Sequence, residues 1–351
     1  LAQAAFLTAL ASSPNLAAAH HGLGLARLSQ SDRTGALAAF RNATASNSGA
    51  WTSWLSIAET TPDQDERGHA LGKARDACRQ AAIAAPADGA RALKHAELLK
   101  LSGRADEAAR IIEQAFRHCH DESATYAALA NAHYRRGDYR SALKHQQWSL
   151  LTLQTRQTPG GARRGFDPAR ATRAIEYLRM LFDAAGLKWF LAAGTLLGFM
   201  REGAPLDHDR DVDVGIIADG GAAARLERAI VESDAFLTPV SLQRRDRYVA
   251  MSSQGVGIDI FLYERDGRWL DCGFSRNDGD IAWRFSGFNV CEAQFSGMQF
   301  PIPDNPDLYL AETYGNWRKP DKFFASAISS PALHNVDAAA RAYVAAYRAR
   351  K

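Results

Sequence analysis

Apolar and polar positions follow two different rhythms, and the change between them divides the chain. Through residues 1–150, small and apolar residues recur at helical spacing within alanine-rich runs. One set, Gly24, Ala36, Phe40 and Ala43, returns as Ala58, Ala74, Cys78 and Ala81. It returns again as Ala96, Ala108, Ile112 and Ala115, and once more as Ala130, Ala142, Gln146 and Ser149. Ala17 to Trp51 and Gly89 to Ser123 are each one period of about 34 residues. The middle step is longer because residues 60–66 enlarge a turn. Glycine and aspartate at Asp32, Gly35, Gly103, Asp106, Gly137 and Asp138 supply turn and cap chemistry between paired helices. Pro14 and Pro86 stop helices at repeat ends. Residues 1–14, with Ala2 and Phe6, fit the second half of a further repeat, so the chain is expected to begin inside a longer array.

The rhythm breaks at residues 151–168, where Pro159, Gly160 and Gly161 with Arg163 and Arg164 predict a linker. Asp167 and Pro168 open a helix whose apolar stripe, Ile175, Leu178, Met180, Leu181 and Phe182, ends at Gly186. A strand over 189–193 follows, then Gly194-Thr195 and a short helical turn. Carboxylates recur at Asp207, Asp209, Asp211 and Asp213, the last two alternating with Val212 and Val214. On a strand that period places Asp211 and Asp213 on one face. Residues 256–261 predict a second strand, with Asp259 alone among apolar neighbours. Twisted strands with turns at Asp266-Gly267 and Asp278-Gly279 come next. A helix over 307–314 stops at Gly315, and a last amphipathic helix covers 335–350.

Several carboxylates on one face repel each other unless a divalent cation sits among them. Asp259, isolated in an apolar strand, needs a cationic partner, and a metal shared with Asp211 and Asp213 answers both needs. Gly194 and Thr195 let backbone amides at a helix start approach an anion, and Arg201 offers a fork to a phosphate oxygen. The stretch reads as a metal-dependent phosphoryl-transfer site. Taken alone, the Asp-x-Asp pattern also suits a calcium loop or a solvated edge strand. Composition adds exclusions. A net charge of +3 over 351 residues gives no nucleic-acid footprint. The four cysteines form no C-x-x-C pair, so reduced, mostly buried thiols are expected. No apolar run has the length of a transmembrane segment. Trp54 and Trp148 are expected to pack between helices.

Two resemblances rest on these residues. The array over about 1–150 resembles tetratricopeptide (TPR) repeats, which implies a groove for a protein partner or for self-association. Over about 170–325 the chain resembles the LicD/fukutin family, with its nucleotidyltransferase-like fold. The motifs are Gly194-Thr195 with Gly198, Arg201, Gly203 and Pro205, then Asp209, Asp211 and Asp213. Asp259 with Phe261, the Pro301 and Pro303 pair, Tyr309, Tyr314 and Trp317 complete the pattern. His208 departs from it, standing where the family usually has tryptophan.

The family resemblance implies transfer of a phospho-alcohol group, such as phosphocholine or ribitol phosphate, from a CDP-alcohol donor to a sugar hydroxyl of a cell-envelope glycan. It further implies that Asp211 and Asp213 bind Mg²⁺ or Mn²⁺, with Asp209 as a further ligand or orienter. Asp259 would ligate metal or accept the sugar proton, Gly194 and Thr195 would hold the donor phosphates, and Arg201 would stabilise charge. The expected plan is multidomain, α then α+β. A TPR-like solenoid (1–150), a linker (151–168), a mixed-sheet catalytic domain with flanking helices (169–330) and a C-terminal helix (331–351) follow one another. The expected place is the cytoplasm, including the inner face of the membrane. Transfer of the nucleotide itself, or a non-catalytic TPR scaffold, are the competing functions.

Overall fold

Small residues at repeating positions decide how the first half of the chain packs. The computed structural model describes residues 2–30, 32–154, 167–207, 209, 211–233, 247–253, 256–295, 297–321 and 323–350. Two units divide the chain, Leu1–Arg135 with Val231–Arg244, and Arg136–Ile230 with Arg245–Lys351.

The first unit holds α1 (Ala2–Ser12), α2 (Ala17–Leu28), α3 (Arg33–Ser46), α4 (Trp51–Thr60), α5 (Gln64–Ala84), α6 (Gly89–Leu101), α7 (Ala105–Ala115) and α8 (Glu122–Arg135). Each helix packs chiefly on the ones before and after it, as a repeat array requires. Of the recurring set up to Ala130, all but Ala81 are buried. Gly24 shows why the position is small: a Cβ there would stand 2.4 Å from the Phe40 ring. Aspartates cap the helix starts, Asp32 at Gly35 N–H (2.8 Å) and Asp63 at Glu66 N–H (2.9 Å). In the enlarged turn, fully buried Arg67 donates to the carbonyls of Ala58 (3.1 Å) and Thr61 (2.7 Å). Trp54 packs on the core of this unit, as expected.

The second unit begins ahead of the boundary expected at residue 150. Helix α9 (Tyr139–Gln154) packs on α15 (Ala338–Arg350), and that pairing assigns it to this unit. Trp148, expected between helices, is 47% exposed. Arg163 and Arg164 lie outside the described residues. Helix α10 (Pro168–Ala184) is capped by Asp167, which accepts from Ala169 N–H at 3.0 Å. Ile175, Leu178 and Phe182 form its buried stripe, whereas Met180 is 71% exposed because its offset falls between their turns.

A mixed sheet of β1 (Trp189–Leu191), β2 (Asp211–Ala218), β3 (Tyr248–Ser253), β4 (Val256–Asp266), β5 (Trp269–Gly273) and β6 (Ala282–Ser286) follows, interrupted by α11 (Ala193–Glu202) and α12 (Ala222–Glu232). Strands β2 and β4 pair in parallel at the centre, and β3 and β5 share the far edge of β4. Val212, Val214 and Ile216 of β2 and Ile258, Ile260 and Leu262 of β4 are buried on one face, where α10 packs. The strand expected over 189–193 stops at Leu191, because Ala192 and Ala193 already start α11. The hairpin β7 (Val290–Phe295) and β8 (Met298–Pro303), α13 (Pro306–Tyr314) and α14 (Ser326–Ser329) complete the unit. Helix α13 ends at Gly315, φ +70°. The last helix starts at Ala338, after left-handed Asn335 and a cap at Asp337, rather than at 335.

Three of the four thiols are shielded to some degree: Cys78 and Cys272 are buried and Cys119 is half-buried, whereas Cys291 is exposed. Among the described residues no helix is long and apolar enough to cross a membrane.

Candidate active site

Parallel pairing of β2 with β4 sets Asp213 opposite Asp259 in register and Asp211 opposite Gly257. Side chains alternate faces with period 2, so Asp211, Asp213 and Asp259 share the face opposite the valine and isoleucine core. Asp209 joins them at the entry to β2. A Cβ built on Gly194 would stand 3.0 Å from Asp209 Oδ2 and 3.1 Å from Asp213 Oδ2. One bare peptide thus faces two carboxylates.

Electrostatics report the same crowding. Burial foremost, then the charges of Asp211, Asp209 and Asp259, push the Asp213 carboxyl well above the usual carboxylate range. The hydrogen bond from Gly194 N–H acts the other way. Burial and the charges of Asp213 and Asp209 also raise the Tyr314 hydroxyl.

The start of α11 is fitted to β2. Gly194 N–H donates to Asp213 Oδ2 at 2.9 Å, and Asp213 N–H donates to Thr195 Oγ1 at 2.8 Å. The two residues assigned by sequence to a donor phosphate are here joined to Asp213, which occupies a helix N-terminus that favours an anion. Ala193 carries φ +37°, a conformation costing an alanine about 1 kcal/mol or more. Arg201 Nη2 donates to the Trp317 carbonyl, while its buried Nε has no hydrogen-bond partner among the described residues. His208 and Arg210, which flank Asp209, lie outside the described residues.

Three tyrosines belong to the neighbourhood without having been assigned there from sequence. Tyr248 on β3 donates to Asp259 Oδ1 at 2.8 Å. Tyr309 accepts from Ala193 N–H at 3.2 Å, and Tyr314 lies in the field of Asp213 and Asp209. Tyr309 and Tyr314 stand in the motif of the family's closing segment, a signal available in the sequence. Tyr248 has no such signal. Its place follows from β3 pairing antiparallel with β4, which brings it beside Asp259.

Among the described residues, no three His, Cys, Asp or Glu side chains are already gathered at metal-binding geometry. The donor chemistry fits a hard divalent cation: only carboxylate oxygens, drawn from Asp209, Asp211, Asp213 and Asp259, whose mutual repulsion a cation would relieve.

Residues 186–305 match the LicD/FKTN/FKRP nucleotidyltransferase domain. The ribitol-5-phosphate transferase FKTN of Macaca fascicularis is 24% identical over 160 residues, which are 43% of this chain and 34% of that protein. The protein of the same name from Homo sapiens gives the same figures. The chain therefore spans about a third of the length of these relatives. A solved structure of MamA is 14% identical and covers 44% of this chain and 87% of that one, with a TM-score of 0.33. A thermophilic TPR protein of Thermus thermophilus is 20% identical, covers 43% of this chain and 80% of that one, and has the same TM-score of 0.33.

Proposed function

We propose that the LicD/FKTN/FKRP-type domain moves a phospho-alcohol group from a CDP-activated alcohol to a sugar hydroxyl of a cell-envelope glycan. The observation that carries this is the in-register pairing of Asp213 with Asp259 across parallel strands, with Asp211 on the same face and Asp209 beside them. In the proposed reaction the sugar oxygen attacks the phosphorus that bears the alcohol. The bond from that phosphorus to the bridging oxygen breaks, CMP leaves, and a phosphodiester joins alcohol to sugar.

Asp211 and Asp213, with Asp209, are the side chains that would hold Mg²⁺ or Mn²⁺. Such an ion, when bound, neutralises the donor diphosphate and the leaving nucleotide. Asp259 accepts the proton of the attacking hydroxyl, and the Tyr248 hydrogen bond orients its carboxylate for that task. Gly194 N–H aims Asp213 and favours its ionised form against the burial and like charges that oppose it. Arg201, tethered through Nη2 to the Trp317 carbonyl, supplies positive charge to stabilise the donor phosphates. Catalysis on this scheme is positioning and electrostatics more than covalent chemistry. The repeat array serves as a groove for a protein partner or a second copy, and the protein works in the cytoplasm or at the inner membrane face.

Incubation with labelled CDP-ribitol or CDP-choline, Mg²⁺ and a glycan acceptor tests the proposal. Free CMP with alcohol phosphate on the acceptor is the expected result. CMP attached to the acceptor would instead mean nucleotidyl transfer, and no turnover with any CDP-alcohol would leave a scaffold.

A further inference from the structure

A buried pair of hydroxyls lies farther along the face of the sheet that carries the acids and has no part in the chemistry above. Tyr309 Oη accepts from Ala193 N–H at 3.2 Å and lies 2.8 Å from Tyr263 Oη. The Tyr309 ring is 2% exposed, stacked on Phe285 at 4.9 Å and met edge-on by Phe190 and Phe288. Packing alone asks only for a phenyl ring there. A hydroxyl in such a place costs free energy unless it is hydrogen-bonded, so its presence calls for a task.

Ala193 supplies the task. Its φ of +37° is a left-handed conformation that an alanine leaves unless something holds it. The next amide, Gly194 N–H, belongs to the rigid peptide between residues 193 and 194, so the Ala193 backbone angles set its direction. That amide donates to Asp213 Oδ2 at 2.9 Å. Ala192, at the N-cap position of α11, has no side-chain acceptor, which leaves Tyr309 and Asp213 to satisfy the first two amides.

We infer that Tyr309 is a positioning residue: its hydroxyl, steadied by Tyr263, keeps Ala193 left-handed and thereby points Gly194 N–H at Asp213. Its consequence for turnover rests on the proposed transfer, but the geometry does not. The decisive comparison is Tyr309→Phe against Tyr309→Phe combined with Ala193→Gly, because glycine adopts the left-handed region without steric cost. Amide hydrogen exchange at Gly194 and Thr195 should quicken about tenfold in Tyr309→Phe and return to within about twofold of the original protein in the double variant. The rate of CMP release should follow, falling about tenfold in kcat with KM little changed and recovering in the double variant.

Unchanged exchange in Tyr309→Phe, or no recovery on adding Ala193→Gly, overturns the inference. Should Tyr309→Phe fail to fold, Tyr263→Phe removes the second link and should quicken the same amides about threefold. Exchange left unchanged by that variant overturns it too. If the original protein releases no CMP, the transfer proposal falls while the exchange comparison still decides this one.

Discussion

Arg67 in the repeat array and Asp213 in the sheet are both charges taken largely from water, and their surroundings are opposite. Arg67 is fully buried, and the carbonyls of Ala58 and Thr61 answer its donors. Asp213 has one amide from Gly194 and three further carboxylates facing the same region. The array uses its buried cation to close an enlarged turn. The sheet collects like charges that, after burial, raise the proton affinity of Asp213. A buried charge with partners supplied locally is architecture, whereas several of one sign stacked on a face describe something that binds from outside.

Four experiments would break or sharpen that contrast. Asp213→Asn should lower CMP release by about 10³-fold, measured with a CDP-alcohol at saturating Mg²⁺. In the absence of divalent cation the same change should leave the melting temperature unchanged or about 3 °C higher, because a repelling charge has gone. Mg²⁺ should raise the melting temperature of the original protein and not of the variant. A variant melting well below the original in chelator would show that Asp213 is structural, like Arg67.

Arg67→Ala should cost about 3 kcal/mol in urea unfolding, since it orphans carbonyls and opens a cavity. CMP release per folded molecule should not change. Gly24→Ala places a methyl against the Phe40 ring and should cost about 1–2 kcal/mol, read in the same way.

The smallest effect concerns Lys100 in the array, whose Nζ donates to Asn131 Oδ1 at 3.2 Å. Burial first, then the charge of Arg135, brings its ammonium down to about 8. The folded value lies below the unfolded one, so the unfolded chain holds more protons between about 8 and the ordinary lysine range. Stability should therefore rise with pH across that window, seen as a higher urea midpoint at about pH 10 than at about pH 8. Lys100→Met should abolish the rise.

Much of the architecture was legible in sequence because it is written locally. Alanines one helical period apart announce their burial, and Asp167-Pro168 and Gly315 mark helix ends by their own backbone preferences. The acidic face was legible for a similar reason: alternation with Val212 and Val214 fixes which way Asp211 and Asp213 turn. Met180 and Trp148 misled, since hydrophobic character says nothing of angular position when neighbours on the same helix already fill the stripe. The tyrosines were harder. Tyr248 meets Asp259 only through antiparallel pairing of β3 with β4, and Tyr309 reaches Ala193 across 116 residues of chain. Such partnerships depend on tertiary closure, which no local pattern encodes. The union of α9 with α15 is hidden in the same way, because α9 carries the array's repeat pattern into the second unit.

The parallel run of β2 beside β4 has a consequence for biosynthesis. Two parallel neighbours cannot be joined by a tight hairpin, so the polypeptide must leave the sheet after Ala218 and come back before Val256. A ribosome that has released Asp213 has therefore made the acidic run of β2 but not Asp259, which lies opposite it in register. The acidic face is completed only once Asp259 has emerged and β4 has docked beside β2, so the site closes late in synthesis.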